Sequence, residues 1–132
     1  MDFERYKVPK SVSEGVEIEL PGTKGAPFLV SLPSEHNRAF AAAKQRAMVA
    51  GGKVTLGEDG KPDFSKVDFI AFRDAQLEAF LVHCILKMPE GITAEDLRGD
   101  YYPGLVALFD RASDMASDEE KAGAIATKKL RA

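Results

Sequence analysis

The chain has 132 residues and a mass of 14.3 kDa, which suits one domain and is too short for two complete ones. With 45% apolar and 30% charged residues and a net charge of −3, it predicts a soluble domain without bulk attraction to nucleic acid or anionic membrane. One cysteine excludes an internal disulfide, and with two histidines it gives too few soft ligands for a structural zinc site. We expect a cytoplasmic protein with no secretory signal and no membrane span.

The first 32 residues predict an extended arm followed by a β-hairpin. Residues 1–15 are polar with scattered apolar side chains, which is typical of an arm. Strict alternation over 16–20 predicts a strand, the Pro-Gly-Thr-Lys-Gly sequence that follows predicts a turn, and 28–32 predict a second strand. Since a lone hairpin is marginal in water, the hairpin at 16–32 packs either on helices of this chain or against another protein's sheet.

Residues 34–50 predict a helix, and residues 51–64 predict a mobile loop. The helical segment is rich in alanine, begins at Ser34 as N-cap, and is ended by two consecutive glycines. The loop contains four glycines and one proline, with a tight turn from Gly57 to Gly60.

The longest predicted helix covers about residues 66–88. Ser65 and Asp68 form a capping-box variant at its start, and apolar residues recur at helical spacing along one broad face. Phe69, Phe72 and Phe80 form a second apolar edge. A helix that is apolar on nearly all sides must be covered by the rest of the domain, by a second copy, or by a partner.

Three further helices are predicted in the remaining chain. Thr93 and Asp96 cap a short helix that ends near Gly99, a second begins after Pro103, and Ser117 with Glu120 forms a capping box for a last helix. The predicted architecture is therefore α+β, with an N-terminal hairpin packed on four to five helices and a helical part over 65–132.

No residue set in the sequence points to catalysis or to a cofactor. His83 and Cys84 are adjacent, but neighbouring helical side chains point about 100° apart, so the two do not form a nucleophile–base pair unaided. Common metal, phosphate and nucleophile motifs are absent from the sequence. These patterns leave open an enzyme of unrecognised type, but they favour a non-enzymatic protein without cofactor.

The first forty residues contain four short motifs: Met1-Asp2-Phe3, Glu14-Gly15-Val16-Glu17-Ile18, Phe28-Leu29-Val30-Ser31-Leu32 and Asn37-x-x-Phe40. In these motifs the chain resembles the small tail assembly chaperone-like proteins of long-tailed bacteriophages. The similarity covers about a third of the chain by motif and the remainder by layout.

The resemblance implies a protein that binds tail tube and tape measure proteins, keeps them soluble, and acts in the host cytoplasm during assembly. Such binding needs apolar and strand-edge surfaces on a charged body, and it also allows self-association. The side chains we predict to bind partners belong to the hairpin and to the phenylalanine edge: Val16, Ile18, Leu20, Phe28, Val30, Phe69, Phe72 and Phe80.

Two alternative functions remain open at the level of sequence. The first is a structural virion component (a tail, neck or head-decoration protein) that stays in the particle. The second is a small regulatory or inhibitory protein-binding module with a host target. All three functions require protein-binding surfaces, so composition and pattern do not separate them.

Overall fold

The computed structural model describes residues 3–50, 55–65 and 67–131. The helices are α1 (Lys10–Ser13), α2 (Arg38–Ala50), α3 (Phe69–His83), α4 (Ala94–Arg98) and α5 (Tyr102–Arg131), and a short 3₁₀ turn covers Glu4–Tyr6. The strands are β1 (Val16–Ile18), β2 (Phe28–Val30), β3 (Thr55–Leu56), β4 (Pro62–Asp63) and β5 (Ile85–Lys87). The predicted α+β class, with a hairpin and five helices, is confirmed.

The main sheet is antiparallel and has the strand order β1-β2-β5. Val16 pairs with Val30 and Ile18 with Phe28, so the predicted hairpin is confirmed, although its strands are shorter than expected. The prediction of one helix over 66–88 is wrong at both ends, because α3 spans Phe69–His83 and the chain then becomes β5. Ser31 N–H donates to the Cys84 carbonyl at 2.8 Å, so leaving the helix gives β2 a hydrogen-bonding neighbour on its second side.

The predicted extended arm is wrong over much of its length. Glu4–Tyr6 form a 3₁₀ turn, and α1 packs against the end of β2. Leu32 N–H donates to the Ser11 carbonyl at 3.1 Å, and Ser31 Oγ donates to the Val12 carbonyl at 2.7 Å. Burial of Val12 accounts for the helical segment, because it fixes this part of the arm to the body. Met1 and Asp2 lie outside the described residues.

Helix α2 begins at Arg38, later than predicted, and its N-cap is Asn37. Phe40 N–H donates to Asn37 Oδ1 at 3.1 Å, which satisfies one of the free donors at the helix start. Ser34 Oγ instead accepts the His36 N–H at 3.2 Å, within the turn before the helix. The Asn37-x-x-Phe40 sequence is therefore a capping arrangement.

Residues 55–63 are not the irregular loop that was predicted. β3 and β4 form a two-stranded ladder, and the predicted turn between them is confirmed by a hydrogen bond from Gly60 N–H to the Gly57 carbonyl at 2.9 Å. Residues 51–54 of the predicted loop lie outside the described residues.

The N-cap of α3 is also a different residue from the predicted one. Asp68 rather than Ser65 caps this helix, since Ala71 N–H donates to Asp68 Oδ1 at 3.0 Å. Lys66, where the helix was predicted to begin, lies outside the described residues.

The two last predicted helices are one continuous helix, α5. The Thr93–Asp96 capping box before α4 is confirmed in both directions, whereas Ser117 lies inside α5 and starts no new helix. The buried Ala112 and Ala116 hold this stretch of α5 against the core, so packing favours continuation over the local capping signal.

The core lies between α2, α3, α5 and the inner face of the sheet. Phe80 and Leu108 are completely buried at its centre, and Phe109 contacts Phe80 edge-on with ring centroids 5.1 Å apart. At the surface, Arg98 of α4 makes a bidentate contact with Glu78 of α3, with its shortest N–O distance 2.7 Å. These contacts fix the segments that form the surfaces described below.

Candidate protein-binding surfaces

Four of the eight predicted partner-binding side chains belong to the core instead. These four are at most 5% exposed: Ile18, Phe28, Val30 and Phe80. Helices of the same chain already cover most of the inner face of the hairpin, so these four side chains offer little surface to a partner. Val16, Leu20 and Phe72 are half-buried, and Phe69 is well exposed.

Strand β1 lies at the edge of the sheet, as the hairpin prediction required. The strand order places β2 in the centre, with β5 along its other side. β1 is only three residues long and carries the exposed Glu17 at its middle. Short length and charge both discourage pairing with another strand, so this edge is a weak candidate for binding.

A second region is much more apolar, and we call it the apolar patch: Leu56, Phe64, Phe69 and Ile70. These four large side chains are 53–77% exposed and lie within 15 residues of the chain. Leu56 belongs to the β3–β4 ladder, where it pairs with Pro62, and Phe64 follows directly after β4. Single exposed apolar residues are ordinary, whereas several together mark an interaction surface.

The apolar patch arises because the start of α3 extends beyond the core. At 100° per residue, Ile70 lies on the same helix face as Leu77 and Leu81. Those two side chains are at most 4% exposed, while Ile70 is 76% exposed. The face that is buried in the second half of α3 is therefore uncovered in its first turn.

A concave site lies beside the hairpin turn, and we call it the apolar cleft. It has a volume of about 490 Å³, within the range of roughly 300–1,000 Å³ typical of ligand pockets. The hairpin turn, the segment after β5 and the start of α5 form its walls, which include Leu20, Phe28, Pro89, Ile92, Tyr101 and Pro103. Gly104 adds no side chain to the α5 wall of the cleft, and a β-carbon there would lie 3.8 Å from Leu20 Cδ1.

The rim of the apolar cleft is acidic. Glu90 and Asp100 line it and are exposed, and neither carboxylate forms an ion pair with any described residue. An apolar interior beside two carboxylates favours an apolar group that is accompanied by positive charge.

The cleft continues into a groove on the outer face of the sheet. This groove has a volume of about 710 Å³ and shares Ala26, Pro89 and Glu90 with the cleft. Leu29 and Lys87, which are paired across β2 and β5, line it. The two concave regions therefore provide a continuous path across the end of the sheet.

Of the two adjacent candidate reactive residues, Cys84 has a side chain in a structural position. Cys84 is completely buried, and burial raises the pKa of its thiol to about 12, so it is protonated at neutral pH and is a poor nucleophile. Its sulfur accepts a 3.5 Å hydrogen bond from Asn37 Nδ2, and the His83 carbonyl accepts another from the same amide at 3.2 Å. Across the described ranges, no group of three or more potential ligands is arranged to hold a metal ion.

Sequence patterns missed the apolar cleft and three of the four residues of the apolar patch: Phe69 was predicted to bind partners, whereas Ile70 was predicted to lie on the core face of its helix. The cleft combines segments from Leu20 to Gly104, and the two breaks that help to build it, at Pro89 and Pro103, indicate only helix boundaries in the sequence. Leu56 and Phe64 fall in the segment predicted as a loop, where exposed apolar residues carry no periodic signal.

No helix in the described part of the chain is both long and apolar enough to cross a membrane. Comparison with protein-family models, with curated proteins and with solved structures finds no match to this chain.

Proposed function

We propose that this chain is a non-enzymatic phage tail assembly chaperone-like protein, which binds tail tube and tape measure proteins in the host cytoplasm during virion morphogenesis. The observation that carries the proposal is the apolar patch, where four large side chains project from a body with 30% charged residues. Proteins that hold assembly partners need apolar surface that stays uncovered until the partner arrives. The motifs between Met1 and Phe40 supply the link to phage tails.

The apolar patch suits reversible binding better than the hairpin does. The hairpin side chains stabilise the fold, so exposing them to a partner would require unfolding. Phe69 and Ile70 stand in the first turn of α3 and are 61% and 76% exposed, so a partner can cover them without rearrangement. Each Å² of apolar surface that a partner buries there contributes roughly 25 cal/mol of favourable binding free energy.

Co-purification tests the proposal. The tagged chain is co-expressed with the tail tube or the tape measure protein of the same phage, and the retained partner is quantified. We expect both partners to be retained by the wild type and lost with the double variant Phe69→Ser and Ile70→Ser. A matched control carries Met48→Ser and Val82→Ser, which remove two apolar side chains that are 56% exposed outside the patch. If the wild type retains neither partner, the proposal is wrong.

The structural alternative differs in where the chain is found after assembly. A tail, neck or head-decoration protein would remain in mature particles at stoichiometric amounts, whereas a chaperone would be absent from them. Quantitative mass spectrometry of purified particles therefore distinguishes the two. A stoichiometric peptide signal would overturn the chaperone function in favour of the structural one.

A further inference from the structure

A second exposed apolar segment precedes α1, and we call it the aromatic arm (residues 3–8). Phe3 and Tyr6 are 65% and 74% exposed, and their ring centroids lie 6.0 Å apart. Val8 is about half exposed beside them. The rings contact each other, so this apolar surface is grouped rather than scattered.

The aromatic arm is accompanied by positive charge. Arg5 and Lys7 stand among its apolar residues in the sequence and Lys10 follows in α1, so the first ten residues carry three basic side chains against two acidic ones, Asp2 and Glu4. Lys7 lies 3.0 Å from Glu4, but both side chains are largely exposed, so this ion pair stabilises the arm little. An aromatic, basic segment is the chemical complement of an apolar cleft with an acidic rim.

The arm and the apolar cleft lie towards opposite ends of α5. Ser11 Oγ, just beyond the arm, donates to both carboxylate oxygens of Glu119 at 2.7–2.8 Å, and Pro9 lines a shallow cavity with Gly123. Gly104 lines the cleft. Glu119 and Gly104 are 15 residues apart on one helix, which at 1.5 Å per residue is a separation of about 22 Å. The arm is therefore anchored about 22 Å from the cleft of its own chain, as measured along α5.

We infer that the apolar cleft binds the aromatic arm of a second copy of this chain, so that copies associate head to tail. Phe3 and Tyr6 enter the cleft against Tyr101 and Ile92, while Lys7 and Lys10 approach Glu90 and Asp100. The inference is independent of the proposed phage function, because it uses a surface that the apolar patch does not share.

A contact of this kind is heterologous, since two different surfaces meet. A pair of copies keeps one unused arm and one unused cleft, so association continues into a ring or an open chain. The charged contacts are exposed, so salt screens them and weakens association. These properties distinguish head-to-tail association from a two-fold dimer, in which the same surface of each copy meets its counterpart.

Sedimentation equilibrium at increasing protein concentration tests the inference. We expect the average mass of the wild type to rise above 14.3 kDa and to fall again at high salt. Two variants remove one side of the contact each: an arm variant with Phe3→Ser and Tyr6→Ser, and a cleft variant with Tyr101→Ser and Asp100→Lys. Each should associate at least tenfold more weakly, as expected for the loss of a central aromatic contact.

Mixing the two variants gives the decisive measurement. The arm variant keeps an intact cleft and the cleft variant keeps an intact arm, so an equimolar mixture should form a single species of about twice the chain mass. Neither variant alone should do so. All four substituted residues are exposed, and circular dichroism checks that both variants fold.

Any one of three results with the wild type and these variants would overturn the inference, and a fourth comes from a control. The wild type stays monomeric at the highest concentration reached, the arm variant associates as strongly as the wild type, or the mixture contains no dimer. The double variant Phe69→Ser and Ile70→Ser is the control, and it should associate like the wild type. Loss of association in that control would place the contact on the apolar patch and would also overturn the inference.

Discussion

At the scale of single residues, Asn37 connects more parts of the fold than any local pattern shows. Its side-chain amide donates to Ser31 Oγ at 3.1 Å and to the His83 carbonyl at 3.2 Å, while its oxygen caps α2. Within the described residues, no buried side-chain nitrogen or oxygen lacks a partner, so this network is fully satisfied. Removing the Asn37 amide takes a hydrogen bond from the Ser31 hydroxyl and from the His83 carbonyl, although the hydroxyl keeps its bond to the Val12 carbonyl.

We expect Asn37→Ala to lower the free energy of unfolding by about 2–4 kcal/mol, which combines a lost helix cap with unsatisfied buried groups. Asp68→Ala is the matched control: it removes the exposed cap of α3 and should cost about 1 kcal/mol. Urea denaturation of both variants measures the difference. Equal losses would mean that Asn37 acts as a cap alone.

The titration of Cys84 makes the free energy of unfolding depend on pH in a defined direction. Burial raises the pKa of its thiol from 9.0 to about 12 in the folded chain. Above about pH 9 the unfolded state therefore loses a proton that the folded state keeps, so stability falls as pH rises.

The free energy of unfolding of the wild type, minus that of Cys84→Ala, should fall by up to about 1.4 kcal/mol per pH unit between about pH 9 and 12. Subtracting the variant removes the titration of lysines and tyrosines that both proteins share. Urea unfolding at about pH 8 and about pH 10.5 provides the comparison. A difference that does not change with pH would contradict the burial of this thiol.

At the scale of elements, Gly15 lets β1 join the sheet closely. Its φ is +84°, and a β-carbon there would lie 3.0 Å from Leu86 Cδ1 and 3.1 Å from the Val30 carbonyl oxygen. The carbonyl belongs to a paired strand and has little freedom to move. Gly22 has a similar φ of +82°, but an added β-carbon would meet open space.

The two glycines therefore separate backbone strain from crowding. Gly22→Ala should cost about 1 kcal/mol for its left-handed backbone, and Gly15→Ala should cost a further 1–3 kcal/mol, roughly, for the crowded contact. Thermal or urea unfolding of the two variants checks this order. An equal cost would show that Leu86 and Val30 adjust freely to the added methyl group.

Elements whose signals are local were predictable, and elements that depend on distant partners were not. The hairpin strands follow from alternation and the α4 cap from Thr93 and Asp96, because each pattern spans a few residues. Strand β5 continues an apolar helical run in the sequence, and it becomes a strand because it pairs with β2 more than fifty positions earlier.

The same distinction applies to the candidate sites. Phe69 was predictable as exposed apolar surface from helical periodicity, but Phe80 lies on the same predicted edge and is buried. The difference between them is that the core covers the second half of α3 and not its first turn. Periodicity assigns a face to a helix, while tertiary packing decides how far along the helix that face is covered.

At the scale of the whole molecule, apolar side chains divide into those that stabilise the fold and those that remain available. The patch variant replaces Leu56, Phe64, Phe69 and Ile70 with polar residues, and it should change the free energy of unfolding by about 1 kcal/mol or less, since these side chains are exposed. Phe80→Ala removes a single fully buried ring and should cost about 3–5 kcal/mol.

Urea denaturation compares the two variants, and partner retention is measured under conditions where both remain folded. The patch variant should keep its stability and lose partner binding, while Phe80→Ala should lose stability and keep partner binding. If the patch variant loses as much stability as Phe80→Ala, these four side chains stabilise the fold itself. They would then not be surface held open for a partner, and the proposed function would lose the observation that carries it.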